Sequence, residues 1–79
     1  MQFTHDNLDE LNILVRYKLT TTLEGIKVHT STAAPSTVEA TRRLFHKGLI
    51  TLEDGGYLTA LGHEAAEHAH ALLGLLNPS

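Results

Sequence analysis

Cysteine is absent from this chain of 79 residues, and its absence limits the kinds of fold that the chain can adopt. Without cysteine there is no disulfide framework and no thiolate metal site to reinforce a small core. A chain of this length buries only about 60% of its unfolded surface, which is too little for two separate cores. We therefore expect a single domain over residues 1–76, a disordered tail at 77–79, and a partner subunit that adds stability.

The balance of apolar and charged residues narrows the possible functions. Hydrophobic residues make up 42% of the chain and charged residues 19%, which is typical of a folded globular protein. Apolar runs fall far short of the roughly 20 residues that span a bilayer, so we expect a cytoplasmic protein with no membrane contact. The formal net charge is −3, so a surface that binds nucleic acid has to be a local basic patch.

The first half of the chain carries two helical signals. Residues 4–17 place apolar side chains at helical spacing and predict an amphipathic helix capped by Thr4 or Asp6. A short helix is predicted from about Thr22 to His29, because the threonine at 21 and the glutamate at 24 fit a capping box. The neighbouring β-branched threonines leave a strand as the alternative for this segment.

The second half predicts a helix, a hairpin and a last helix. The third helix runs from Pro35 to Lys47, with proline in its first turn and glycine after its end. Its helical projection gathers Val38, Thr41, Leu44 and Phe45 on one side, and Ala40 and the polar residues on the other. Short β-favouring runs at 49–52 and 57–59 flank a Gly-rich turn and predict a hairpin, and a helix capped by Thr59 follows over 60–76.

Three helices, a hairpin and a further helix follow the order of a winged helix-turn-helix protein. Residues 35–50, which include Pro35-Ser-Thr-Val38 and Arg42-Arg43, resemble the recognition helix and first wing strand of bacterial regulators of the winged helix-turn-helix superfamily. The segments Glu24–His29 and Gly55–Thr59 are also similar to a family of short uncharacterised bacterial proteins described as candidate DNA-binding regulators. The resemblance implies a mainly α fold with a small β-hairpin, a winged helix-turn-helix with an added C-terminal helix. The wing tip departs from it, because Glu53 and Asp54 stand where DNA-binding wings usually carry arginine or lysine.

The third helix predicts double-stranded DNA as a partner. Serine and threonine hydroxyls suit phosphate or base contacts, arginine can bridge two acceptors on guanine, lysine suits the flanking backbone, and glutamate either accepts a hydrogen bond from cytosine or repels phosphate. The candidate contacts are Ser36, Thr37, Glu39, Arg42, Arg43 and Lys47. The alternative is an ordinary solvated helix face, and the DNA hypothesis fails if the arginines turn inward against carboxylates.

The last helix predicts a homodimer, because it carries more leucine than packing on a small domain needs. The candidate interface residues are Leu72, Leu73, Leu75 and Leu76, with Ile13 and Tyr17 of the first helix beside them. The alternative is a tail helix that completes the core of a monomer. The leading function is therefore a dimeric DNA-binding transcriptional regulator, and the second is a protein-interaction module of winged-helix fold without DNA binding.

Metal binding and catalysis find little support in the sequence. His63, Glu67 and His70 follow ligand-like spacing on one helical face, away from the apolar stripe, but the zinc-protease signature is absent and we expect no metal and no other cofactor. Gly-rich phosphate loops and the GxSxG nucleophile motif are also absent from the sequence. We expect a protein that is not an enzyme.

Overall fold

The computed structural model describes residues 1–21 and 23–78. In this part of the chain, three helices and three strands follow in the order α1 (His5–Leu14), β1 (Ile26–Lys27), α2 (Pro35–His46), β2 (Ile50–Leu52), β3 (Gly55–Leu58) and α3 (Ala60–Leu76). The strands form one antiparallel sheet in the order β1-β3-β2. The fold is therefore mixed α and β, and mostly helical.

The first helix begins as the sequence predicts and ends sooner. The Thr4 hydroxyl accepts a hydrogen bond from the Asn7 amide, and the Asn7 side chain accepts one from the Thr4 amide, which completes a capping box. After Leu14 the chain tightens into a turn, in which the Tyr17 amide donates to the Leu14 carbonyl. This turn directs the Tyr17 side chain into the core, where its hydroxyl donates to the carbonyl of Gly56 at 3.0 Å.

The prediction of a helix from about Thr22 to His29 is wrong for the described residues, and Thr22 itself lies outside them. The segment contains β1, in which Ile26 pairs with Gly56 of β3. A Cβ atom on Gly25 would lie 2.7 Å from the carbonyl oxygen of Gly56, so the backbone passes close to β3 and glycine is needed there. Pairing with β3 outweighs the weak helix propensity of a segment that contains glycine.

The helix α2 and the hairpin confirm the predicted elements, with two corrections. The inward face of α2 contains Ala40 beside Thr41 and Leu44, so the placement of Ala40 on the outer face is wrong. The glycines predicted to form the turn belong to β3, where Gly55 and Gly56 have φ values of 131° and 75°. Between β1 and α2, the described residues form a turn at 30–32 and no helix.

The helix α3 packs on the other elements through small residues at its beginning. Thr59 joins it to α2, because its hydroxyl donates to the Gly48 carbonyl at 2.6 Å and accepts from the Gly62 amide at 3.0 Å. The core that these elements enclose consists of Ile13, Leu14, Tyr17, Val28, Ala40, Leu44, Ile50, Ala66 and Ala69.

No described helix is long and apolar enough to cross a membrane. The disordered tail predicted at 77–79 falls partly on Ser79, which lies outside the described residues. Asn77, two residues before Ser79, donates hydrogen bonds to the Leu73 carbonyl from its backbone amide and from its side chain.

Candidate functional site

A buried carboxylate joins α1 to α2. Glu10 lies on the inner face of α1 and is 6% exposed. Its Oε2 accepts a hydrogen bond from Arg43 Nε at 2.7 Å, and its Oε1 accepts one from Lys47 Nζ at 2.8 Å. Residues 43 and 47 are four apart and so lie on the same side of α2, which lets both cations reach one carboxylate.

The electrostatics of this cluster, Glu10 with Arg43 and Lys47, keep the carboxylate ionised. Burial on its own raises the pKa of Glu10, but the hydrogen bonds from Lys47 and Arg43 outweigh burial and hold the pKa below its ordinary value. The hydrogen bond to Glu10 in turn raises the pKa of Arg43. The cluster is therefore a charged internal bridge, in which each cation already has an anion.

The predicted outward orientation of Arg43 is wrong, because its side chain turns toward the buried Glu10, whereas Lys47 stays exposed although it also bonds Glu10; DNA contact by either residue stays a prediction. Arg43 also lies 3.8 Å from the Asp6 carboxylate. Lys47 keeps about half of its side-chain surface in solvent, but its ammonium group donates to the buried carboxylate. Phosphate contact through either residue would have to compete with a pre-formed ion pair, which lowers the gain from DNA binding.

The other predicted DNA contacts lie on a mixed surface. Ser36, Glu39 and Arg42 are exposed, and Thr37 is half-buried with its carbonyl bonded to the Thr41 hydroxyl. Among the described residues Arg42 forms no ion pair. It nevertheless lines a cleft that also contains the two carboxylates of the hairpin tip, Glu53 and Asp54. This surface carries both signs of charge.

Sequence reasoning missed Glu10 because its charge suggests an exposed position near a helix N-terminus. One signal could have identified it. Glu10 lies three and four residues before Ile13 and Leu14, and seven before Tyr17, so helical geometry places it on the face that these buried residues share. A carboxylate on an apolar helix face needs a cation from a neighbouring element.

The predicted dimer interface divides into buried and exposed members. Ile13 is 1% exposed and Tyr17 is 3% exposed, so both are buried within the chain's own core and their assignment to a partner surface is wrong. The α3 residues stay outside the core: Leu72 is half-buried, and Leu73, Leu75 and Leu76 are 47%, 79% and 70% exposed. Residues 71–76, Ala-Leu-Leu-Gly-Leu-Leu, include no buried residue, and we call them the leucine end of α3.

The histidines of α3 are divided between two directions. His63 Nδ1 lies 2.8 Å from a Glu67 carboxylate oxygen, whereas His70 turns toward α1 and its Nε2 donates to the Tyr17 carbonyl at 2.8 Å. The prediction that His70 points away from the packed face together with His63 and Glu67 is therefore wrong. Within residues 1–21 and 23–78, no three potential ligands are grouped closely enough to hold a metal ion.

Comparison with known proteins gives one match. Residues 1–77 fit the model of a family described as "Family of unknown function (DUF5669)". No curated protein and no solved structure matches the chain.

Proposed function

Because the chain belongs to DUF5669, a family of unknown function, its role has to be argued from its own surfaces, and we propose that it is a protein-interaction module that self-associates through α3. The observation that carries this proposal is the leucine end of α3, six consecutive apolar residues of which none is buried. Contiguous apolar surface of this kind is typical of a site of protein contact.

The physical gain from covering the leucine end is large for a small protein. Complete burial of one leucine side chain stabilises a contact by about 1.5–3 kcal/mol. Leu75 and Leu76 are both at least 70% exposed, so most of that free energy is still available to a partner. The last turn of α3 carries neither acidic nor basic side chains, so burying it desolvates no side-chain charge.

The position of the β2–β3 hairpin between α2 and α3 supports a winged-helix relationship, in which the hairpin corresponds to the wing, although the described residues form two helices before the hairpin and not three. The departures from a DNA-reading version favour protein contact. The turn at 30–32 stands where a helix-turn-helix pair needs a helix, the hairpin tip carries Glu53 and Asp54, and Lys27 lies 3.7 Å from Asp54. Winged-helix folds also serve as protein-binding modules, so the fold is compatible with this role.

Sedimentation velocity at micromolar concentration tests the proposal. We expect the wild-type chain to sediment as a dimer and the Leu75→Glu, Leu76→Glu double variant to sediment as a monomer with unchanged helical circular dichroism. Leu23→Glu is the matched control, because Leu23 is 83% exposed and lies outside α3, and it should remain dimeric. A monomeric wild type, or a double variant that still dimerises, would contradict the proposal.

DNA binding is the second candidate, and the beginning of α2 favours it. No side chain caps the N-terminus of α2, where Ser36 and, further along, Arg42 are exposed. Free amide groups at a helix N-terminus attract phosphate.

Retention on random duplex DNA at low salt, followed as salt rises, tests this candidate. If DNA binds through α2, Arg42→Ala weakens retention and flattens its salt dependence, whereas Arg16→Ala, which removes an exposed cation from the turn after α1, changes neither. The absence of retention at low salt excludes the candidate.

A further inference from the structure

An open apolar groove lies between α1 and the end of α2. Its volume is about 530 Å³, and its walls include Leu11 and Leu14 of α1, Leu44 of α2, and Leu49. Phe3 stands at its rim and is 65% exposed. Lys47 also lines the groove and keeps half of its side-chain surface exposed beside Glu10. The groove therefore offers apolar walls and, at the Glu10–Lys47 ion pair, an ammonium group that is half exposed.

The leucine end of α3 has the complementary properties. Its leucines are apolar, and its last turn contains no basic residue to offset the partial negative charge of a helix C-terminus. The Asn77 amide and side chain both bond the Leu73 carbonyl, which leaves the later carbonyls of the helix to other donors. Apolar groove walls would cover the leucines, and Lys47 would donate to these carbonyls, because an ammonium group has three donors and one of them bonds Glu10.

The chain cannot place its own leucine end in its own groove. The beginning of α3 lies against Leu49 in the groove wall, because Gly62 sits on the backbone of that residue. A helix rises about 1.5 Å per residue, so Leu76 lies roughly 20 Å further along the axis than Gly62. A leucine end that occupies the groove therefore has to come from another molecule.

We infer that the groove receives the leucine end of α3 from a second copy of the chain, with Lys47 facing the carbonyls at the end of the incoming helix. This inference rests on the proposed self-association and names the surface that completes it. Each copy has one leucine end and one groove, so exchange in both directions forms a closed dimer with two-fold symmetry.

The area supports exchange in both directions. A specific interface has to bury at least about 1,000 Å² in total, which is roughly 500 Å² on each copy or about a tenth of the 5527 Å² that the chain exposes. Leu73, Leu75 and Leu76 together expose about as much area as two whole leucine residues. One leucine end in one groove is a small contact. Reciprocal exchange buries a leucine end and a groove on each copy, which doubles the buried area.

Disulfide trapping tests the inference, because the natural sequence has no cysteine to interfere. We expect an equal mixture of Phe3→Cys chains and Leu75→Cys chains to form a covalent dimer under mild oxidation. Each variant oxidised alone should remain a single chain on a denaturing gel. Leu23→Cys chains mixed with Leu75→Cys chains are the matched control and should also remain single.

The outcomes separate this inference from the function on which it rests. If the wild type sediments as a dimer but the Phe3→Cys and Leu75→Cys mixture forms no covalent dimer, the groove assignment is wrong and self-association stands. If Leu75→Cys chains alone cross-link, the two leucine ends meet each other and the groove assignment is again wrong. A monomeric wild type would overturn both proposals.

Discussion

The two halves of α3 have opposite surroundings, although one continuous helix carries both. In the first half, Gly62, Ala66 and Ala69 are buried, and the backbone of Leu49 occupies the space where a side chain at position 62 would go. In the second half, the leucine end projects from the body: among residues 1–21 and 23–78, no atom beyond the neighbouring residues and the backbone of α3 itself lies within 4 Å of the position that a Cβ on Gly74 would take. The buried residues of the helix are small, whereas the leucines of its end lie where the body is distant. The leucines therefore contribute little to the folded monomer, and their value depends on a partner.

The largest effect that tests this contrast is expected for Gly62→Ala. The added methyl group would overlap the Leu49 carbonyl oxygen, and the backbone on both sides would have to shift. We expect a loss of about 3 kcal/mol in the free energy of unfolding, measured by denaturant titration. An unchanged midpoint would show that the first half of α3 is not closely packed.

A smaller effect is expected where charge, rather than close packing, joins two helices. Arg43→Met leaves the buried Glu10 carboxylate with Lys47 as its remaining cation, and we expect a loss of about 2 kcal/mol. The lowered pKa of Glu10 means that this contribution is present above its ordinary value of 4.5 and disappears as the pH falls below it. The free energies of unfolding of the wild type and the variant should therefore become similar in acid.

Denaturant titrations at neutral and acid pH measure this difference. Arg16→Met is the control, because Arg16 is exposed in the turn after α1, and it should lower the free energy of unfolding little at either pH. If Arg43→Met lowers the free energy of unfolding equally at both pH values, Arg43 acts through its packing and not through its charge.

The smallest effect is expected for Gly74→Ala, the counterpart of Gly62→Ala in the open half of the helix. Nothing in the chain opposes a methyl group there, and alanine favours the helix, so the folded monomer should gain about 0.5–1 kcal/mol. Thermal unfolding at low protein concentration, where the monomer dominates, measures this gain. A loss of stability at high concentration alone would place Gly74 against a partner.

Local signals predict much of this fold, and the failures share a cause. Pro35 and Gly48 bound α2, and Thr59 begins α3, because capping and turn chemistry depend on neighbouring residues. The segment around Gly25 was misassigned because its structure depends on β3, some thirty residues further along the chain. Long-range pairing overrides local propensity, and sequence periodicity does not record it.

The candidate site shows the same division. The exposed leucines of α3 follow from their number, since a small core cannot cover them all. The commitment of Arg43 and Lys47 to Glu10 could not be predicted from α2 alone, because it depends on how α1 packs across it. Of the three cations that predict DNA contact on α2, Arg43 and Lys47 bond Glu10 and so join α2 to α1, whereas Arg42 does not.

The Thr59 side chain has a mechanical consequence. Its hydroxyl bonds the Gly48 carbonyl just after α2 and the Gly62 amide in the first turn of α3, so the beginning of α3 is tied to the end of α2. The far end of α3 is about 25 Å from this link, and a tilt of roughly ten degrees about it would displace that end by about 4 Å. A small rotation passed from α2 to α3 would thus move Leu76 several times further than the residues at the beginning of α3.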